Sequence, residues 1–371
     1  MSYKYKILFI MKKTILIIFT FFALGCSSDS TDVVAANPIT VTETMYFPPL
    51  TSTTWDTKTI ASLGWNQSAV QPLLDYLVLK NSKSFIVLVN GRIVLENYFN
   101  GHDANTAWYW ASAGKTLTST VSGIAQQEGL ININNKVSTY IGTGWTSETL
   151  AQENLITCKN LLTMTSGLDD ITYGDAVNPA SLQYIAPAGT RWAYHNVYVK
   201  MQDVIAQASG QTWENYFNAK LKDKIGMTGS WIPSGNNIVY WSTSRSMARF
   251  GLLMLNKGKW DTNQVLNETY FSEATNTSQN INLGYGYLWW LNGKANYHLP
   301  DLQTQFSGSI IPTGPNDMFM ALGKNDQKIY VIPSKKMVII RMGDPADPIN
   351  PSFALSGFDA ELWTKITAMT N

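Results

Sequence analysis

The sequence predicts an α+β fold in which one antiparallel sheet is closed by segments from both ends of the chain. Three observations carry that expectation. SFIVLVNGRIVLENY (84–98) is two apolar runs around Asn90-Gly91, and both turn residues of such a hairpin must accept positive φ. QKIYVIPSKKMVIIRMG (327–343) is a second strand pair around Pro333-Ser334-Lys335. Between these β regions apolar residues recur at helical spacing. The helical middle then forms an inserted, mostly helical subdomain with a cleft at the junction, where small-molecule sites usually lie.

Taken in order, the chain opens on an address rather than a fold. Lys12-Lys13 precede TILIIFTFFALG and Cys26. A basic start, a short apolar run and small residues before the break describe a signal peptide over 1–25. The apolar run falls short of the roughly 20 residues a bilayer span needs. ALGC-SSDS resembles a bacterial lipobox, which implies cleavage before Cys26 and lipid on that cysteine, with Met11 the more natural start. The chain is then expected in the cell envelope, outer membrane or periplasm, held to a membrane surface with its folded part in water. Cleavage removes Lys4, Lys6, Lys12 and Lys13 and no acidic residue, turning a net charge of +1 into −3. Residues 26–54, rich in Ser, Thr, Asp, Asn and Pro, read as a tether. Residues 55–371 show no repeat or low-complexity break and read as one catalytic unit.

Within that unit the spacing predicts helices over TLTSTVSGIAQQEG (116–129), 159–165, MQDVIAQASG (201–210), MARFGLLMLNKG (247–258) and 356–369. Gly129 and Gly210 stand where helices commonly stop. At 371 residues and 45% hydrophobic the chain can bury a large core. Its 27 Lys+Arg against 26 Asp+Glu require no basic face, so no nucleic-acid partner is expected. Two cysteines build neither a disulfide framework nor a zinc site, and His102, His195 and His298 are scattered. No metal or organic cofactor is expected. Cys158 reads as a small buried hydrophobe.

The chemistry concentrates at Trp110-Ala111-Ser112-Ala113-Gly114-Lys115, just before the first strong helix. Ser112 and Lys115 are three apart, so in a first helical turn their side chains share a face. A hydroxyl at a helix N-terminus also sits beside unsatisfied N–H groups and the positive end of the dipole, which suits attack on a carbonyl. S-x-x-K alone is a weak signal, equally a serine cap with a solvated lysine. The G-x-S-x-G elbow of α/β-hydrolases is absent, since Trp110 stands at its first glycine.

The wider context is more specific. KTLTSTVSGIAQQEGLININNKVSTYIG (115–142), ITCKNLLTMTSGL (156–168), the stretch 187–230 carrying Tyr194-His195-Asn196, MARFGLLMLNKGKW (247–260) and GYGYLWW (284–290) follow one another in this order. Together they resemble the S-x-x-K serine hydrolases of the class C β-lactamase and penicillin-binding type, over nearly everything after residue 80. The resemblance implies that family's fold, with Ser112 as nucleophile, Lys115 as its partner in proton transfer and Tyr194 as the third member. An adjacent ammonium favours a Tyr194 phenolate, which can take the Ser112 proton and return it to the leaving group. Asn196 is then expected to orient Lys115 or a substrate amide, and His195 to be a structural or rim residue.

The family's third motif is Lys-Thr-Gly or His-Thr-Gly on the strand lining the cleft. The matching strand here is MFMALGKNDQKIYVIP (318–333), with Ala321-Leu322-Gly323 at the motif. The N–H of Lys324 then joins that of Ser112 in an oxyanion hole. A slip of one or two residues instead offers Lys324 itself as the motif's cation. Either register lacks the threonine that helps hold a β-lactam carboxylate. That loss, with the G-x-x-x-Q ending, resembles 6-aminohexanoate-dimer hydrolases and family-VIII-type esterases. Most of the tryptophans beside the motifs read as core, with Trp110 and Tyr173 kept as candidate cleft residues. The DDITYGD loop (169–175) around Tyr173 otherwise reads as solvated surface.

The sequence therefore predicts a lipid-anchored serine hydrolase that cleaves a small ester or amide through an acyl-enzyme on Ser112. A β-lactamase or D-alanyl-D-alanine peptidase is the rival on the same fold. A ligand-binding lipoprotein with a retired active site is the rival of another class.

Overall fold

The computed structural model describes residues 43–348 and 357–371. The expected signal peptide, Cys26 and the expected tether up to residue 42 lie outside the described residues. Glu43–Asn371 form one compact unit, and within its described residues no helix is long and apolar enough to cross a membrane.

Both predicted hairpins are present and belong to one six-stranded antiparallel sheet. Its order runs Arg92–Tyr98, Ser82–Val89, Met337–Gly343, Gln327–Ile332, Phe319–Gly323 and Trp290–Leu291, so the two ends of the chain meet in its middle. Asn90 and Gly91 both take positive φ at the first turn, and the register pairs Val87 with Ile339 and Ile329 with Ile340. Phe85 through Leu88 are all fully buried. Such a run, rather than alternation, marks a strand covered on both faces. Helices Val70–Leu79 and Gly357–Thr370 pack together and against the sheet, and helix Ser244–Leu255 packs on its two central strands.

The predicted helices stand at Lys115–Gln127, Cys158–Leu162, Lys200–Ser209, Ser244–Leu255 and Gly357–Thr370. The first is buried from Lys115 through Ala125 although it is rich in Ser and Thr. Its hydroxyls satisfy themselves on the helix backbone: Thr116 donates to Ala113 O, Thr120 to Thr116 O and Ser122 to Thr118 O at 2.7–2.9 Å. Local bonding of that kind lets a polar helix run through a core. Cys158 is a free, buried thiol, with burial pushing its pKa up to about 12.

Two expectations need correction. First, 318–333 is not one strand. It breaks into Phe319–Gly323 and Gln327–Ile332 around a turn at Lys324–Asp326, because Asn325 and Asp326 both adopt a left-handed φ of 60°. Second, the folded unit starts before Trp55, so 43–54 are not tether. Tyr46 N–H donates to Asn90 O at 3.1 Å, and Asn90 Nδ2 donates to the carbonyls of Glu43 and Thr44. The buried Arg249 donates to Pro48 O, Pro49 O and Ser52 O, besides Ile225 O. Met45, Tyr46 and Phe47 pack against the core besides these backbone contacts.

A chain beginning at Trp55 should therefore unfold at a lower urea midpoint than one beginning at Glu43. Stripping the buried Arg249 of its carbonyl partners is expected to cost about 2 kcal/mol or more. Equal midpoints would return 43–54 to the tether.

Candidate active site

Ser112 lies in a tight turn, Ala111–Gly114, that runs directly into helix Lys115–Gln127. Trp110 anchors the turn from below. Its backbone N–H donates to Tyr240 O at 2.9 Å and its indole N–H to Ser242 Oγ at 2.8 Å. Ala111 takes a φ of 47°, a left-handed conformation uncommon for a residue with a β-carbon and concentrated at functional sites. As the second residue of the turn, Ser112 keeps its N–H among those with no acceptor inside the helix.

The shared face expected from the three-residue spacing is realised, with Lys115 Nζ donating to Ser112 Oγ at 2.8 Å. The ammonium also lies 4.8 Å from the ring centre of Tyr194 and 4.7 Å from that of Tyr198. Tyr194 is hydrogen-bonded to Ser112 and backed by Trp290, stacked at 5.7 Å. The three residues of the proposed catalytic set thus meet around one hydroxyl.

Burial sets the protonation of the group. Desolvation brings Lys115 down to about 7, opposed in part by the charge of Asp175. For Tyr194 burial raises the pKa, outweighing the hydrogen bond from Ser112. The phenolate expected beside an ammonium is therefore not the favoured state. Among the pair, Lys115 gives up its proton near neutrality and Tyr194 keeps its own. Once Nζ is neutral it can accept the Ser112 proton along the same 2.8 Å contact.

These residues open on a cleft of about 630 Å³. Asn196, His195 and Lys324 line it with them. Asn196 Nδ2 donates to the carbonyl of Asp175 at 2.9 Å, which ties a loop down rather than orienting Lys115. His195 is buried, and burial holds its pKa below the usual value. Gly323 is packed against the Ser112 turn, where a β-carbon would stand 2.5 Å from Trp110 O and 3.0 Å from Ala113 N. Only glycine fits that approach, which favours the register placing Gly323 at the motif glycine. Leu322, at the threonine position, is buried.

Two expected cleft residues are elsewhere. Trp110 is fully buried beneath the turn, with its ring against Tyr240 and Phe250. Tyr173 is on the outer surface, its hydroxyl accepting from Gln183 Nε2 at 2.8 Å. Nor is its loop simply solvated. Asp169 is buried and caps Ile171 N and Thr172 N, Asp170 is buried beside Arg191, and Asp175 faces the cleft.

Sequence reasoning also missed one wall. Hairpin Ser230–Ser234/Asn237–Ser242 pairs with Trp108–Tyr109 and presents Ile232, Val239, Trp241 and Tyr109 to the cleft. The apolar runs either side of Gly235-Asn236 were the available signal.

This geometry can be set beside known proteins. The family model described as Beta-lactamase matches residues 81–344. The chain belongs to the β-lactamase family. A candidate penicillin-binding protein of Bacillus subtilis, PbpX, is 29% identical over 163 residues, which is 40% of this chain and 40% of that protein. A candidate 6-aminohexanoate-dimer hydrolase from Bacillus anthracis superposes with a TM-score of 0.66 at 20% identity, over 87% of this chain and 89% of its own. A class C β-lactamase point variant gives 0.60 at 18%, over 80% and 96%. The fold is that of class C β-lactamases.

Lys115 also leaves a thermodynamic signature. Its pKa is about 7 folded against 10.5 for the free group, so between those values the unfolded chain binds the extra proton and stability rises with pH. Lys115→Met removes this dependence. The variant's gain in stability over the parent, measured by urea unfolding, should be largest below pH 7 and shrink towards pH 10. A pH-independent difference would refute the depressed value.

Proposed function

We propose that the chain hydrolyses a small ester or amide through an acyl-enzyme on Ser112, at the surface of a bacterial cell envelope. The observation that carries this reading is a buried Lys115 amine, its pKa lowered by desolvation, at 2.8 Å from a hydroxyl that opens on the cleft.

In the first half-reaction neutral Lys115 Nζ takes the Ser112 proton as Oγ bonds to the carbonyl carbon. The N–H groups of Ser112 and Lys324 receive the oxyanion. The tetrahedral centre collapses by breaking its bond to the leaving alcohol or amine, which leaves with a proton passed from Lys115 through the Tyr194 hydroxyl. In the second, water gives its proton to Lys115 and attacks the acyl carbon, and Ser112 departs with its proton restored.

Leu322 in place of the motif threonine favours esters and linear amides over β-lactams, since no hydroxyl stands there to hold a carboxylate. The relative named for 6-aminohexanoate-dimer hydrolysis supports a small linear amide as the alternative to an ester. Rapid turnover of nitrocefin would overturn this preference in favour of a β-lactamase or D-alanyl-D-alanine peptidase. The lipobox at Cys26 supports secretion and lipid anchoring.

A fluorophosphonate should label the chain at Ser112, located by peptide mass spectrometry, and Ser112→Ala should lower ester turnover by several orders of magnitude. The acylation rate should rise with pH through an apparent pKa near 7 as Lys115 loses its proton. A folded chain that takes no label would instead support the retired-site binding protein. For the anchor, Cys26→Ser should move the protein from the membrane fraction to the soluble one, and unchanged fractionation would refute lipid attachment there.

A further inference from the structure

The turn at Lys324–Asp326 demands an explanation. It carries two consecutive non-glycine residues at a φ of 60°, directly after the glycine that presses on the Ser112 turn. Asn and Asp tolerate left-handed backbone better than other residues with a β-carbon, but two in succession gain from support by their surroundings. Lys328 holds the Asp326 carboxylate and Tyr109 accepts from Asn325 Nδ2, and two further side chains of the central strands hold the turn's carbonyls.

Arg341, on strand Met337–Gly343, is fully buried and places every one of its N–H groups on an oxygen. Nη1 donates to Asn325 O at 2.8 Å and Asp326 O at 3.1 Å. Nη2 donates to Lys80 O at 2.7 Å and Asp344 O at 3.0 Å, and Nε to Ser82 Oγ at 3.1 Å. Gln327 adds a second donor to the same turn, with Nε2 at 2.9 Å from Asn325 O and 3.4 Å from Lys324 O. The Gln327 amide is itself fixed by Gly343, donating to its carbonyl at 2.6 Å and accepting from its N–H at 3.1 Å. Gly343 leaves the guanidinium room, since a β-carbon there would come within 2.4 Å of it.

We infer that Arg341, assisted by Gln327, is a positioning residue for the oxyanion contact: it clamps the carbonyls of the left-handed turn so that the Lys324 N–H is held beside that of Ser112. The inference rests on the proposed acyl-enzyme at Ser112 and deepens it. Donors that stabilise a developing oxyanion act by being fixed before the reaction, so their support matters to the rate. The fixed planar fork of a guanidinium can serve Asn325, Asp326, Lys80, Asp344 and Ser82 at once, whereas an ammonium has only three donors and no plane. None of the clamping atoms needs to touch substrate.

The test compares the full chain with Arg341→Lys, using a para-nitrophenyl ester carrying an isotope label in its carbonyl. The expected result is a fall in kcat of about tenfold to a hundredfold with little change in KM. The infrared carbonyl stretch of the acyl-enzyme should move to higher frequency, because a loosened oxyanion contact polarises that bond less. A merely structural role would lower the melting temperature and leave the carbonyl frequency unmoved, and that result overturns the inference, as does an unchanged kcat. If Arg341→Lys does not fold, Gln327→Met carries the test with Arg341 in place. A smaller loss with a shift of the same sign supports the clamp, and parent values overturn it. Fluorophosphonate labelling of the parent separates the two failures. No label at Ser112 removes the acyl-enzyme itself, whereas a labelled parent with an indifferent Arg341→Lys removes only the clamp.

Discussion

The desolvation of Lys115 is the constraint on which the rest of the structure turns. An ammonium in water holds its proton until far above neutrality and is useless as a base at pH 7. Here the amine is enclosed by the rings of Tyr194 and Tyr198 and by the first turn of a buried helix, and its pKa falls to about 7. Keeping an amine dry requires walls, and those walls come from distant parts of the chain. Trp290 backs Tyr194, the Asp175 loop is tied down through Asn196, and the hairpin over 230–242 forms the far side of the cleft. Asp175 works against the trend, since its charge favours the protonated amine. The balance leaves Lys115 poised between its two states rather than locked in one.

The same burial sorts the roles of Lys115 and Tyr194. Low polarity disfavours whichever form of a group is charged, so it lowers an amine and raises a phenol. Two groups in one environment are thereby pushed towards neutrality from opposite sides. The outcome is a base and an acid within reach of one hydroxyl, without a histidine between them. An argument from the charge of the neighbour alone assigns the phenolate to Tyr194, and the desolvation of both groups reverses that assignment.

How much of this was legible in the sequence follows the range of the interactions involved. The hairpin at Asn90-Gly91, the helix after Lys115 and the Ser112–Lys115 contact are local, set by turn chemistry and a three-residue spacing, and each is where the pattern put it. What was missed or misplaced depends on partners far away. Trp110 reads as a cleft residue because it adjoins Ser112, but its indole N–H is claimed by Ser242, 132 residues on. The segment 43–54 looks like tether because the stretch 26–54 is rich in Ser, Thr, Asp, Asn and Pro, yet Arg249 and Asn90 hold its carbonyls and Met45, Tyr46 and Phe47 pack against the core. Asp175 sits in an acidic run that looked like surface, and nothing local separates it from Asp169 and Asp170, which fold inward.

The break in 318–333 shows the same principle at the point where it matters most to the site. The apolar pattern on either side reads as one strand, although Gly323, Asn325 and Asp326 between the two runs are a turn signal. The carbonyls of Asn325 and Asp326 in the left-handed turn meet donors from Gln327 and Arg341. Strand pairing delivers Arg341 there, since the register sets it opposite Lys328, two residues beyond the turn. Gly323 then lets the strand end press against the Ser112 turn. Sheet register, a buried guanidinium and a missing β-carbon together bring the end of that strand against the Ser112 turn, and none of the three is visible in the three residues that form the turn itself.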